Sequence, residues 1–421
     1  MKTITSVLGQ LSPDGRILFS TRIARLFAYG FLSVILVLYL AQVGLSEAEI
    51  GLLLTLTLVG DTFISLWLTT SADRIGRRRM LLAGAGLMIF AGILFALTRN
   101  YVLLVIAATI GVISPSGNEV GPFLSIEQAA LSQIVRNEDR TQVFAWYNLV
   151  GSFATALGAL AGGVLAQGLQ STGLAPIDSY RVVVIGYALM GALLALFFLR
   201  LSPATEVDPE LLKNRPVATH PLAFGLRPAS RRVVFGLAGL FTLDAFAGGF
   251  VLQSLVAYWF NVKFGVEPAL LGGIFFGANI LAGISALSAA AVARRIGLIK
   301  TMVFTHIPSN ILLILVPLMP NLPLAILVLL LRFSISQMDV PARQSYTMAV
   351  VAPDERSAAS GITGVARTTG SALAPLLSTP MLAIPALLSA PFFIAGGLKI
   401  VYDLLIYRSF NAVKPPEEES K

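Results

Sequence analysis

Cysteine is absent from the 421 residues and histidine occurs only twice. The first absence excludes disulfides and thiolate metal sites. Two histidines among scattered carboxylates make no convincing metal centre. Charge is also scarce. Charged residues are 12% of the chain, against roughly 25% in a soluble domain. No Gly-x-x-x-x-Gly-Lys-Ser/Thr string is present, so no nucleotide-binding loop of that type is expected. No paired nucleophile and base stands out, so neither an enzyme nor a cofactor is expected. The start of the chain lacks the charged, apolar and small-residue pattern of a cleaved signal peptide, and none is expected.

Apolar sequence fills the space that charge leaves. Hydrophobic residues are 56% of the chain and the mean hydropathy is +0.81. A helix needs about 20 apolar residues to cross a bilayer. Twelve such runs are marked, at about 18–43, 49–71, 80–98, 102–131, 141–168, 181–200, 233–260, 269–292, 301–319, 322–350, 357–382 and 386–407. Barrel strands would be about 10 residues long with alternating polarity. The expectation is an all-α membrane protein with twelve transmembrane helices and both termini on one side. Of the 30 basic residues, 21 fall on the side of the termini and three (Arg99, Arg181 and Lys263) on the other, with six inside the runs. This bias predicts that the termini are cytoplasmic. It also accounts for the net charge of +8 without a nucleic-acid partner.

The longest polar stretch, 201–232, is rich in proline and charge and reads as a cytoplasmic linker. It divides the chain into six-helix halves at 1–200 and 233–407, with a cytoplasmic tail at 408–421. The halves repeat. "EQAALSQIVRNEDRTQVFAWYNLVG" at 127–151 lies over "RQSYTMAVVAPDERSAASGITGVAR" at 343–367, "FAYGF" at 27–31 over "FAGGF" at 246–250, and "ADRIG" at 72–76 over "ARRIG" at 293–297. Offsets of 216 to 221 indicate two pseudo-symmetric six-helix bundles. Such parallel repeats, with a site between them near the bilayer midplane, are a transporter architecture.

The densest charge cluster, "TTSADRIGRRRM" at 69–80, falls between the second and third runs. Here the chain resembles the major facilitator superfamily, whose signature in this loop is Gly-x-x-x-Asp-Arg-x-Gly-Arg-Arg/Lys. Asp73, Arg74, Gly76, Arg77 and Arg78 match it, and Thr69 stands in place of the leading Gly. The twelve runs, linker and repeat extend the resemblance to the whole chain. It implies a secondary transporter working by alternating access. It also implies that Asp73 faces the N-terminus of helix 11, where the helix dipole favours an anion, and locks the halves when the protein opens outward. "GALAGG" at 158–163 is similar to a Gly-Pro-x-x-Gly-Gly stretch of exporters in the family, with Ala159 in place of Pro. Small residues there also serve simple helix packing.

Ionisable groups inside a membrane are costly and are functional hypotheses by default. The resemblance makes helices 1, 4, 7 and 10 the cavity lining. These helices carry Arg22 and Arg25, Glu119 and Glu127, Asp244, and Arg332, Asp339 and Arg343. Helix 4 is expected to break at "SPSGNEVGP", 114–122, where two prolines remove backbone donors. Glu119, inside the break and with no base within a turn of its own helix, is the first candidate proton carrier; the alternative is a Glu held by neighbouring Ser and Asn. Asp339 and Arg343 share a helix face and either neutralise each other or serve the cavity with Arg332 and Arg22. Aligning the repeats predicts two ion pairs of exchanged polarity, Arg25–Glu127 and Asp244–Arg343, forming a gate; the alternative is four snorkelling groups. Asp61 and Arg367 are expected to pair between the halves. Lys399 and Asp403 read as a structural or snorkelling pair, and His306 as packing. The functional expectation is proton-coupled efflux of a small organic solute by a monomer in the inner or plasma membrane. Uptake of a small organic anion is the alternative, and a non-transporting sensor on the same scaffold is a rival of another class.

Overall fold

The computed structural model describes residues 11–136, 140–207, 226–352 and 355–411. Among these there is no β-strand. The first helices are α1 (Pro13–Ser33), α2 (Leu36–Val43), α3 (Glu47–Ile75), α4 (Arg77–Leu97), α5 (Tyr101–Ile110), α6 (Phe123–Ile134), α7 (Arg140–Ser171) and α8 (Pro176–Leu199). They are followed by α9 (Pro228–Gly249), α10 (Gln253–Phe264), α11 (Pro268–Ile296), α12 (Leu298–Leu315), α13 (Leu322–Phe333), α14 (Asp339–Ala349), α15 (Arg356–Leu382) and α16 (Ala390–Phe410).

Local chemistry sets the ends of these elements. Ser46 and Glu49 form a reciprocal capping box at the start of α3, which satisfies two otherwise orphaned donors. Asn100 and Asn321 accept from the third N–H of α5 and α13. Gly44 ends α2 in the left-handed conformation.

Eight helical spans among the described residues are long and apolar enough to cross a membrane, and a ninth results if α1 and α2, which meet at 46°, count as one. Three of the twelve expected runs fall outside that set, each for a structural reason. The run 102–131 is split into α5 and α6 by the Pro- and Gly-containing stretch 111–122. The run 322–350 is split into α13 and α14, where Pro341 in the first turn has no N–H to donate. Helix α15 is long enough, but its Gly, Ser and Thr lower its hydropathy. Many large apolar side chains remain exposed, among them Phe63, Trp67, Leu97, Val102 and Leu189. That is the surface of a protein dissolved in lipid.

The chain forms two compact units: Met1–Pro216 with Val256–Phe276, and Val217–Leu255 with Gly277–Lys421, bounds that fall partly on residues outside the described ones. The first unit includes Val256–Phe276. Each unit contains the same helix contact. A Cβ on Gly30 of α1 would stand 2.1 Å from the Thr155 carbonyl oxygen of α7, and one on Gly249 of α9 would stand 2.5 Å from that of Ser371 in α15. Gly30 and Gly249 are equivalent in the FAYGF/FAGGF alignment, and Thr155 and Ser371 lie at the 216-residue offset. The repeat is therefore present in the packing, where glycine lets two backbones touch.

Both ends of the expected 201–232 linker are ordered parts of their units. In the first, Asp14 accepts from the Ser202 N–H (2.9 Å) and hydroxyl (2.5 Å). The Glu206 carboxylate accepts from the N–H groups of Arg77 (2.7 Å) and Arg78 (3.0 Å), capping α4 from a distance. In the second, Glu355 accepts from the Arg227 N–H and from the Ser230 hydroxyl (2.7 Å) at the start of α9. Residues 208–225 of the linker, and most of the tail at 408–421, lie outside the described residues.

The Glu355 contacts have a pH consequence. The Arg227 N–H, helped by the Ser230 hydroxyl, holds the Glu355 carboxyl below its ordinary range. A carboxylate so depressed contributes stability that is fully present above its unfolded value, about 4.3, and is lost as pH falls through the lower folded value. In detergent, wild type should unfold at a higher temperature than Glu355→Gln near neutral pH, and the gap should close on acidification. A gap that stays constant with pH would mean that the Glu355 charge is not the source.

Candidate functional site

Most of the buried charge of the described residues collects in two clusters, one in each unit. In the first, the Arg25 guanidinium is fully buried and forks onto Glu127, Nη1 to Oε1 and Nη2 to Oε2, both at 2.7 Å. Its Nε donates to Glu119 Oε1 at 2.8 Å, and Arg22 takes the other oxygen of Glu119. Thr21 (2.8 Å) and Tyr147 complete the donors on Glu127. The guanidinium of Arg22 lies over the Tyr147 ring, and that of Arg25 over Phe123. Two guanidinium groups thus face two carboxylates in a neutral, hydrogen-bonded set, the form in which charge survives burial.

Glu119 is therefore not the lone carboxylate expected from its helix. The expected break is present, between Ile110 and Phe123, and it carries Glu119 across to the face of α1. Spacing along one helix cannot show a partner on another. Three side chains hold the break by its backbone: Tyr29 and Tyr187 donate to the carbonyls of Val120 and Val112, and Asp61 accepts from the Gly121 N–H at 2.7 Å.

The second cluster centres on Asp244 of α9. Its Oδ1 accepts from Lys399 Nζ at 2.5 Å, and its Oδ2 from Arg367 at 3.0 Å and Arg343 at 3.3 Å. Arg343 also donates to Asp339, four residues before it on α14, at 2.8 Å. His306 stands between two carboxylates, with Nδ1 2.8 Å from Asp403 and Nε2 3.9 Å from Asp244. Asn310 donates to the second oxygen of Asp403 at 3.1 Å.

Several expected partners differ in the structure. Within the first unit Asp61 is held by Gly121 and Ser65, and within the second Arg367 is held by Asp244. Lys399 and Asp403 do not bond each other, because α16 turns Lys399 to α9 and Asp403 to α12. His306 is an ionic neighbour rather than mere packing. The signal available in the sequence was a lone histidine coinciding with a Lys and an Asp one turn apart. Arg332 makes no ion pair among the described residues, though Asp339 is within its electrostatic reach; its guanidinium lies over Phe333 and its Nε has no hydrogen-bond partner.

At 72–80 the matched loop is built around Arg77. Its Nε bonds Asp73 (3.1 Å), and its Nη1 bonds Gln133 (2.8 Å) and the Thr205 carbonyl (3.0 Å). Gly76 turns the chain at φ +119°, a conformation that disfavours a side chain. Arg74 is exposed and Arg78 half-buried. In "GALAGG", Gly158 and Gly162 lie against the backbone of α1 and Gly163 against that of Pro268 and Gly272, so these residues serve close packing. A cavity of about 350 Å³ lined by Gln42, Gln170, Tyr258 and Glu267, among others, contains no member of either cluster. No group of three or more His, Cys, Asp or Glu suited to a metal occurs among the described residues.

The first cluster predicts strong coupling between its members. Arg25→Met leaves Glu127 without its guanidinium and Glu119 with Arg22 alone, and should cost about 3–5 kcal/mol. Adding Glu127→Met removes the orphaned charge, leaves Arg22 with Glu119, and should restore much of the loss. Thermal unfolding of both variants in detergent checks this, and additive losses would reject the coupling.

A family model described as Major Facilitator Superfamily matches residues 18–375. An uncharacterized membrane protein of Saccharomyces cerevisiae, YJR124C, is 32% identical over 96% of this chain and 95% of its own. Among solved structures, a D-xylose-proton symporter is similar with a TM-score of 0.73 at 15% identity, over 97% of this chain and 99% of that one. The nucleoside transporter NupG aligns with a TM-score of 0.69 at 14% identity, over 95% of this chain and 99% of that one. The human organic anion transporter MFSD10 (TETRAN) aligns with 0.62 at 16% identity, over 94% of this chain and all of that one. These likenesses share one fold, and with the family match and the yeast relative they establish that this multi-pass chain belongs to the Major Facilitator Superfamily of membrane transporters.

Proposed function

We propose that this protein is a proton-coupled secondary transporter that exports a small organic solute by alternating access. The observation that carries the reading is the pair of charge-balanced clusters at repeat-equivalent positions. Arg25 with Glu127 and Asp244 with Arg343 make the same contact with reversed polarity. Ion pairs of this kind hold helices together no better than apolar groups of the same size, whereas they can exchange partners when a cavity opens. In this reading both termini are cytoplasmic, the protein works as a monomer in the inner or plasma membrane, and the Arg25–Glu127 and Asp244–Arg343 pairs act as a gate. Asp73 acts in the loop contact implied by the 73–78 motif. Efflux rests on the resemblance of 158–163 to exporters.

Uptake of a small organic anion is the second reading. Arg332 favours it, as a cation whose Nε has no hydrogen-bond partner. Arg367 favours it too, since its side chain is 33% exposed although it bonds Asp244.

Transport in proteoliposomes with an imposed pH gradient, screened over cationic, neutral and anionic compounds, tests both. Export predicts accumulation of a compound on the side from which protons leave, abolished by a protonophore. Movement of anions together with protons, weakened by Arg332→Gln, would favour the second reading. Transport indifferent to the gradient would remove proton coupling.

A further inference from the structure

Glu119 is the carboxylate that its sequence context marks for protons, yet it is bonded to two guanidinium groups. A proton arriving there must displace both. Every other intramembrane carboxylate of the clusters also has a basic partner: Glu127 has Arg25, Asp244 has three cations, Asp339 has Arg343, and Asp403 has His306. Asp61 differs. Among the described residues it makes no ion pair; its Oδ1 accepts from the Gly121 N–H at 2.7 Å and from Ser65 at 3.1 Å, and its Oδ2 accepts no hydrogen bond from them. It also sits at the middle of α3, 14 residues from Glu47 and 14 from Ile75. At 1.5 Å per residue that is about 21 Å from either end.

The surroundings of Asp61 are defined. Helix α3 packs against α2, α4, α5 and α6. The arginines of α4 are confined to its first turn, next to Asp73 at the far end of α3. The only ionisable residue of α5 is Tyr101, at its start. On α6, Glu127 is held by Arg25. The groups that face Asp61 are Glu119, two residues before Gly121, and the hydroxyls of Tyr29 and Tyr187, both on the backbone of the same break. The approach is fixed by Gly60, where a Cβ would stand 1.9 Å from the Thr109 carbonyl oxygen of α5.

We infer that Asp61 is the proton-binding carboxylate of the first unit, and that its charge sets the conformation of the 111–122 break. This rests on the proton-coupled reading and names its residue. The proton moves from water to Oδ2 and returns to water when the site opens to the other side; the side chain passes between charge −1 and 0. When Asp61 is ionised, its bond to the Gly121 N–H is charge-assisted, and such bonds are about twice as strong as neutral ones. Protonation weakens that hold on a residue already at φ +80° and next to Pro122. The same break carries Glu119, so movement there reaches Arg22 and Arg25 directly.

The test uses the full chain, whose lack of cysteine leaves a clean background. Asn118, exposed in the break, is replaced by Cys and labelled with an environment-sensitive fluorophore in nanodiscs, and its emission is followed as pH is varied. The inference expects a single titration, abolished by Asp61→Asn, which should hold the low-pH signal throughout. Asp61→Glu should keep the titration with a shifted midpoint, and Glu119→Gln should keep it too. An absent titration, one that persists in Asp61→Asn, or one lost only in Glu119→Gln overturns the inference. Should Asp61→Asn fail to fold, an unmoved midpoint in Asp61→Glu overturns it equally. A titration that behaves as stated while liposome transport ignores the pH gradient would sink proton coupling and leave the Asp61 switch standing, so the two failures are distinguishable.

Discussion

Charge placed in an apolar slab must find opposite charge or hydrogen-bond donors, and much of the irregular structure in this protein follows from that demand. Arg25 cannot stay buried on α1 unless carboxylates reach it. Glu127 reaches it from the first turns of α6, and Glu119 only because the chain leaves helical geometry after Ile110. In the second unit, Asp244 draws cations from α14, α15 and α16. Taken with Asp339 and Asp403, three carboxylates face the cations Arg343, Arg367 and Lys399, with His306 between two of the acids. Both clusters therefore close to neutrality when His306 is uncharged. Cohesion alone does not explain them, since apolar residues of similar volume would hold these helices at least as well.

The two units solve the problem with one backbone and two polarities. Gly30 against Thr155 and Gly249 against Ser371 give the same close helix approach, while Arg25 and Asp244 occupy equivalent places with opposite charge. The partner residues, Glu127 and Arg343, are exchanged in step. A duplicated chain that kept the same signs would present two like clusters. Exchanging them preserves each internal pair.

What could be read in the sequence followed from regularities along the chain. Helical class, the duplication and the break near Pro115 and Pro122 all show in periodicity, offset and composition. The repeat alignment pointed to Arg25 with Glu127 and Asp244 with Arg343, and the structure brings those side chains together. Contacts between helices of unrelated register left no such trace. Asp61 binds a backbone N–H, which every sequence offers everywhere, so no residue type advertises Gly121 as its partner. Lys399 and Asp403 are one turn apart and suggest each other, yet the packing of α16 sends them to different helices. The Glu206 cap on α4 joins positions 129 residues apart in a stretch that composition marks as linker.

In each unit an interrupted run also carries charge: Glu119 lies inside the α5–α6 break and Glu127 just after it, and Arg332, Asp339 and Arg343 flank the α13–α14 break. Interrupted backbone at membrane depth is tolerated where it is buried in protein or lines a cavity. It also has fewer ladder hydrogen bonds to lose, so it is where local rearrangement costs least. The 111–122 segment replaces those bonds with side chains: two tyrosine hydroxyls on its carbonyls and one carboxylate on its N–H. A helix held by its own backbone responds little to the ionisation of one neighbour. A segment held by Asp61, Tyr29 and Tyr187 has made its conformation depend on groups whose charge or hydrogen bonding can change, and it passes that dependence on to the arginines that Glu119 holds.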